Sequence, residues 1–121
     1  MAVQDIIWRF YESLEQKSDA WQEDLAEDVV FADASETLHA EGRAAFIQSF
    51  IPFLRSVEHV RLRQLIVDGG AAAAVVSYDY LSPSGGRMSQ DDAEIWQIVH
   101  GKIAALTIYF DITAFRAFMA R

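Results

Sequence analysis

The sequence predicts an α+β domain in which helices lie across a curved, mainly antiparallel sheet. Three observations carry that reading. Apolar residues recur at helical spacing as far as Pro52 and at strand spacing from Val57 onward. The second half is cut by Gly69-Gly70, by Gly85-Gly86 and by His100-Gly101-Lys102, turns that return a chain antiparallel to itself. A separate β-rich run, Val29-Val30-Phe31-Ala32-Asp33, precedes that meander. A strongly twisted sheet curls, and helices across its concave face leave a conical cavity for a small molecule.

Each element follows in order. Residues 4–16 form an amphipathic helix, with Ile6, Ile7, Phe10, Tyr11 and Leu14 on one stripe and Asp5, Arg9, Glu12 and Glu15 opposite. Ser18-Asp19 is suited to cap a second, short helix holding Trp21 and Leu25. The chain then turns at Glu27-Asp28 into the strand that ends at Asp33. Residues 34–41 read as a loop with room for a short strand. Gly42 opens a third helix, with Ala45, Phe46, Phe50 and Leu54 on its stripe and Pro52 loosening its last turn. Strands follow at 57–68, 71–81, 88–99 and 103–110. Asp111 then caps a closing helix with Ile112, Phe115, Phe118 and Met119 on its apolar face. There is no linker or internal repeat, so the whole of 1–121 is expected to be one domain.

Composition narrows the partners. The formal net charge is −8, which repels phosphate backbones and anionic lipid, so neither nucleic acid nor membrane is an expected partner. The chain has no cysteine, which rules out disulfides and thiolate zinc sites and fits a cytoplasmic location. Its N-terminus shows no basic stretch before an apolar run, and no apolar segment is long enough to span a bilayer. His39, His59 and His100 have no metal-ligand spacing, and there is no phosphate-cradling glycine loop or nucleophile elbow. No metal or cofactor is expected.

Strand parity selects candidates for chemistry. Residues two apart share a face, so Val29, Phe31 and Asp33 point the same way and set a carboxylate at the end of an apolar wall. Burial there is expected to raise the Asp33 pKa. Asp92 and Glu94 share a face with Trp96 and Ile98, either inward or as a solvated outer row. Asp79, between Tyr78 and Tyr80, calls for a partner such as Arg61 or Arg63.

Several motifs occur together in order: Trp21, the run Leu25-Ala26-Glu27-Asp28-Val29-Val30-Phe31, Gly42-Arg43, His100-Gly101-Lys102-Ile103 and Tyr109-Phe110-Asp111. Together they resemble the SnoaL-like branch of the nuclear transport factor two-like superfamily, over nearly the whole chain. The resemblance implies a cystatin-like cone with three N-terminal helices on the concave face and a short C-terminal helix. The superfamily holds ketosteroid isomerases, polyketide cyclases, limonene epoxide hydrolases, dehydratases and binding domains. Comparison with the isomerases places Asp33 at the general base, and Tyr11 and Asp92 at the two oxyanion donors. The epoxide hydrolase positions fall on Val75, Ser77 and Ile108, which cannot supply that family's Asp–Arg–Asp set. The same comparison puts Phe31, Asp33, Ser77, Asp79, Asp92 and Ile108 on the inner face.

The expected site is therefore a cavity with Asp33, Tyr11 and Asp92 as catalytic groups and Phe10, Phe31, Ser77, Asp79, Trp96, Leu106, Ile108 and Phe110 around the ligand. The expected ligand is an apolar small molecule. Three function classes stay open: a cofactor-independent isomerase, cyclase or dehydratase; a hydrophobic-ligand-binding module; and a dimeric interaction domain. Both faces of residues 71–78 are rich in apolar side chains, so a homodimer through the outer face of the sheet is expected.

Overall fold

The computed structural model describes residues 2–121. Among them the order is α1 (Val3–Glu15), a one-turn 3-10 helix (Ala20–Gln22), β1 (Leu25–Asp33), β2 (His39–Glu41), α2 (Arg43–Arg55), β3 (Val57–Asp68), β4 (Ala71–Leu81), β5 (Arg87–Val99), β6 (Lys102–Tyr109) and α3 (Ile112–Met119). The helical stripe of α1 is buried as its spacing requires, through Ile6, Ile7, Phe10, Tyr11 and Leu14. Each such side chain contributes roughly 1.5–3 kcal/mol by leaving water.

The expected second helix is only the 3-10 turn. Ser13 Oγ accepts from the Trp21 backbone N–H at 2.8 Å and donates to the Ser18 carbonyl at 3.0 Å. That knot ties the chain to the end of α1, leaving too few residues before the sheet takes over. Leu25 belongs to β1, because the Ile103 N–H already reaches the Asp24 carbonyl at 2.7 Å. Glu27 and Asp28 do not end a helix. They are consecutive exposed residues at an irregularity in β1 between Leu25 and Val30, which restores the parity of Val29, Phe31 and Asp33. The α2 helix continues through Pro52 to Arg55.

One sheet holds all six strands in the order β2-β1-β6-β5-β4-β3. The last four form the expected meander. The pairing β1–β6 is parallel and sets Asp33 opposite Ile108. On the concave face lie Val29, Phe31, Leu106, Ile108, Trp96, Ala72, Ala74, Val76, Tyr78 and Tyr80, all buried. Helices α1 and α2 cover them with Phe10, Phe46 and Phe50, and Phe10 meets Trp96 edge-on at 4.8 Å between centroids. At the wide end, α3 brings Phe115 against Tyr80 at 5.0 Å. Asp111 caps that helix as expected, its carboxylate accepting from the Ala114 N–H at 2.9 Å.

Candidate functional site

The polar groups of the interior come from β5. Its inward row, Gln90, Asp92, Glu94, Trp96 and Ile98, runs from the wide end of the cone toward the narrow end. The alternation that buries Trp96 and Ile98 buries two carboxyl groups with them, Asp92 and Glu94 each being 1% exposed.

Glu94 is satisfied. It accepts the Tyr11 hydroxyl and, at 2.8 Å, the Tyr78 hydroxyl, while Trp96 Nε1–H donates to the Tyr11 oxygen at 3.1 Å. Burial pushes its pKa to about 7, against the pull of those two hydroxyl donors. Asp92 is not satisfied. Neither carboxyl oxygen has a hydrogen-bond partner among the described residues. Burial, then repulsion from Glu94 and Asp91, pushes its pKa to about 8. The Tyr80 hydroxyl and Gln90 Oε1 are likewise buried without a partner among the described residues. None of the described lysines or arginines is buried, so no cation relieves the pair.

Asp33 faces inward, as parity requires, at 3% exposure. Its pKa is nevertheless lowered, contrary to the sequence expectation. Burial raises it, but the Ser35 hydroxyl and the Leu38 and Ser35 backbone N–H groups outweigh burial by stabilising the anion. The carboxylate thus closes the 34–38 loop on itself. It also lines a cavity of about 20 Å³ with Phe31, Phe53, Ile108 and Phe110, large enough for about one water. Phe53 and Phe110 continue into an apolar cavity of about 290 Å³ between α2 and α3, which is the mouth of the cone.

The structure therefore brings Asp33, Phe31, Ile108 and Phe110 together at the inner wall. Phe10, Trp96 and Leu106 are core residues and line neither of these cavities. Tyr11 points inward, but its hydroxyl is committed to Glu94. Ser77 and Asp79 are not on the inner face. The register pairs Ser77 with Asp91 and Asp79 with Ser89, on the outer side of the sheet. There Ser77 accepts from Arg63 at 3.1 Å and donates to Asp91 at 2.5 Å, and Asp79 accepts from Ser89 at 2.6 Å. The correction is one of parity, since Ser77 and Asp79 alternate with the buried Val76, Tyr78 and Tyr80. Sequence reasoning left Gln90, Glu94, Tyr78, Tyr80 and Phe53 out of the site. Alternation alone could have found the first four, because they share parity with Asp92 or with its partner Val76.

A cleft of about 240 Å³ beside Lys17 and Trp21 and a groove of about 360 Å³ between α1 and β3 lie elsewhere, and the unpartnered atoms of Asp92, Tyr80 and Gln90 line neither these nor the two cavities of the cone. Among the described residues there is no group of three His, Cys, Asp or Glu side chains fit to hold a metal, and no helix long and apolar enough to cross a membrane.

With the cone, its mouth and the buried β5 row in place, the comparisons with known proteins are specific about family. The SnoaL-like domain matches residues 7–106. The chain belongs to the SnoaL-like family. This SnoaL-like chain also resembles solved structures at low identity. It shares 17% identity with TerC, crystallised with polyporic acid, over 98% of both chains at a TM-score of 0.83. It shares 14% with an NTF2-like protein from Burkholderia pseudomallei over 100% of both chains at a TM-score of 0.86. A proposed SnoaL-like polyketide cyclase from Jannaschia is 15% identical over 98% of this chain and 92% of its own, at a TM-score of 0.84. No curated protein matches the sequence. At such identities these structures show the fold, and function rests on the site.

Proposed function

We propose that this SnoaL-like chain binds a small apolar molecule in the cone and moves a proton on it without a cofactor, as an isomerase, cyclase or dehydratase would. The observation that carries the reading is the Asp92 carboxyl, fully buried with neither oxygen partnered among the described residues. Two carboxyls whose environments push their acidities apart mark an acid and a base. Near pH 7 Asp33 is a carboxylate and Asp92, with its pKa near 8, a carboxylic acid. In this reading Asp33 takes a proton from the carbon beside a substrate carbonyl, and Asp92 donates a hydrogen bond to the oxygen as charge develops on it. Isomerisation, cyclisation or loss of water then follows from the same enolate. That a neighbour of the same fold, TerC, was co-crystallised with polyporic acid is consistent with a small-molecule cone.

Exchange of the α-protons of 1-indanone in deuterated buffer, followed by NMR, tests this without knowledge of the product. The expected rate rises through the Asp33 titration and falls near pH 8 as Asp92 ionises, and both Asp33→Asn and Asp92→Asn lower it by at least about a hundredfold. Exchange no faster than in buffer would sink the catalytic reading and leave ligand binding alone.

A second reading concerns assembly. Ile66 and Ile95 flank Ala73 in one row of the outer face, and Tyr109 lies beside Ala93 in the next. Ile66, Ile95 and Tyr109 are 58%, 36% and 51% exposed. This apolar strip supports a homodimer through the outer sheet face. The lack of cysteine supports a reducing, cytoplasmic setting.

A further inference from the structure

The mouth of the cone carries a charge that the proposed proton transfer does not use. The cavity of about 290 Å³ between α2 and α3 is walled by Phe53, Phe110, Ile112, Phe115 and Met119, and Arg116 is the one charged residue that lines it. Acidic residues outnumber basic ones by 18 to 10, yet none among the described residues pairs with this guanidinium. Its own helix offers no partner, since the positions three and four residues away hold Ile112, Thr113, Met119 and Ala120. Asp111, the nearest acid in sequence, is turned to the Ala114 N–H at the start of α3, while Arg116 lies in the last turn. Arg55 is also unpaired among the described residues, but the cleft it lines beside Lys17 and Trp21 holds an acid of its own, Asp19.

The inner end of the same space has the opposite sign. The cavity of about 20 Å³ at Asp33 shares Leu38, Ser49, Phe53 and Phe110 with the larger one. Asp33 is held there as a carboxylate by the Ser35 and Leu38 donors. From Asp33 outward the lining therefore runs from an anion, past aromatic walls, to a cation. Phe115 meets Phe53 at 6.0 Å and Phe110 at 5.9 Å between centroids, a wall suited to an apolar body. A neutral occupant of the mouth covers the guanidinium and gives it no acceptor in return for water. A carboxylate at that end accepts two of its N–H bonds at once. The reverse orientation would set that carboxylate toward Asp33, where like charges repel.

We infer, resting on the proposed reading of the cone, that the ligand is an apolar monocarboxylate held with its acid end outward: the carboxylate pairs with Arg116 at the mouth, and the apolar body lies against Phe53, Phe110 and Phe115 with its far end directed at Asp33. Arg116 is then the specificity-determining residue of the site. It selects the charge of the ligand and fixes which end faces the base.

Three probes of one shape and different charge test this on the intact chain: 2-naphthoate, the neutral 2-naphthamide and the cationic 2-naphthylmethylamine. Titration calorimetry at pH 7 and low salt is expected to show 2-naphthoate binding about tenfold tighter than the amide, with the amine weakest. Because Arg116 is exposed, added salt should shrink that preference. Arg116→Gln should bring naphthoate and naphthamide within about twofold of each other, Arg116→Lys should keep part of the preference, and Arg55→Gln should leave it whole. Urea melts confirm that each variant is folded, and the comparison of the probes on the wild type needs no variant. A wild type that does not prefer naphthoate, a preference that survives Arg116→Gln, or one that Arg55→Gln abolishes overturns the inference. If any of these is found while 1-indanone exchange is still catalysed, the inference alone fails. If no probe binds and no exchange is seen, the proposed function fails with it.

Discussion

Replacing Asp92 with Asn should stabilise the fold at neutral pH, although it removes a group proposed for chemistry. Asp92 has a pKa of about 8 in the folded chain, against an ordinary value of 3.8. At pH 7 the folded chain holds that proton and the unfolded chain has lost it. Over the roughly three pH units from 3.8 to 7, at about 1.4 kcal/mol per unit, the penalty on folding reaches ~4 kcal/mol. Asn never ionises, so it escapes that penalty. Its amide inherits the unpartnered position, which costs about 1–3 kcal/mol. The net expectation is a gain of about 1–3 kcal/mol, or roughly 5–10 °C in Tm for a chain of this length.

The sign of the pH dependence is the sharper part. A carboxyl whose folded pKa is raised destabilises the fold progressively from its unfolded pKa up to its folded pKa, and the loss levels off above that. Asp92 and Glu94 do this together, with apparent values near 8 and 7. Wild-type stability should therefore fall from about pH 4 to pH 8. Between pH 7 and 8 only Asp92 still contributes a slope, so Asp92→Asn should be nearly flat there while the wild type continues down. Urea unfolding at half-unit steps from pH 5 to 9 measures both curves. An Asp92→Asn protein less stable than wild type by a constant amount from pH 5 to 8 would refute the reasoning.

Asp33→Asn should act in the opposite sense, destabilising by about 1–2 kcal/mol at pH 7 because the loop donors Ser35 and Leu38 lose their anion. That contribution is present above the unfolded pKa and disappears as pH falls through the lowered folded value, so acid melts of wild type and variant should converge. Tyr11→Phe removes one of two donors to Glu94 and leaves Trp96 Nε1–H without its acceptor. A loss of about 1–3 kcal/mol in urea unfolding, with the 1-indanone exchange rate within about twofold of wild type, is the expected result. Ile95→Glu, on the outer face, should change stability by less than about 1 kcal/mol but give a monomeric mass by light scattering, against the dimer mass expected of the wild type under the proposed assembly.

The sequence by itself determined the elements and their faces. Helical spacing marked the buried stripe of α1, glycine-bearing turns marked the meander, and Asp111 marked the start of α3, because these depend on local periodicity and local hydrogen bonds. It also determined that Val29, Phe31 and Asp33 share a face, and that Asp92 goes wherever Trp96 goes. What parity cannot do is choose between the two faces of a strand or join strands distant in sequence. The placement of Ser77 and Asp79 outside, and of Asp92 and Glu94 inside, was decided by the register of β4 against β5 and by which side α1 and α2 cover. The position of Asp33 beside Ile108 was decided by a parallel pairing between strands about seventy residues apart. Ionisation was decided there too. Asp33 and Asp92 are chemically identical side chains, yet one is held as an anion by three loop donors, while burial first, then Glu94 and Asp91, raise the other, which has no donor among the described residues. A carboxyl group's acidity is set by its burial and by the donors and charges around it in space, and only the folded chain supplies those.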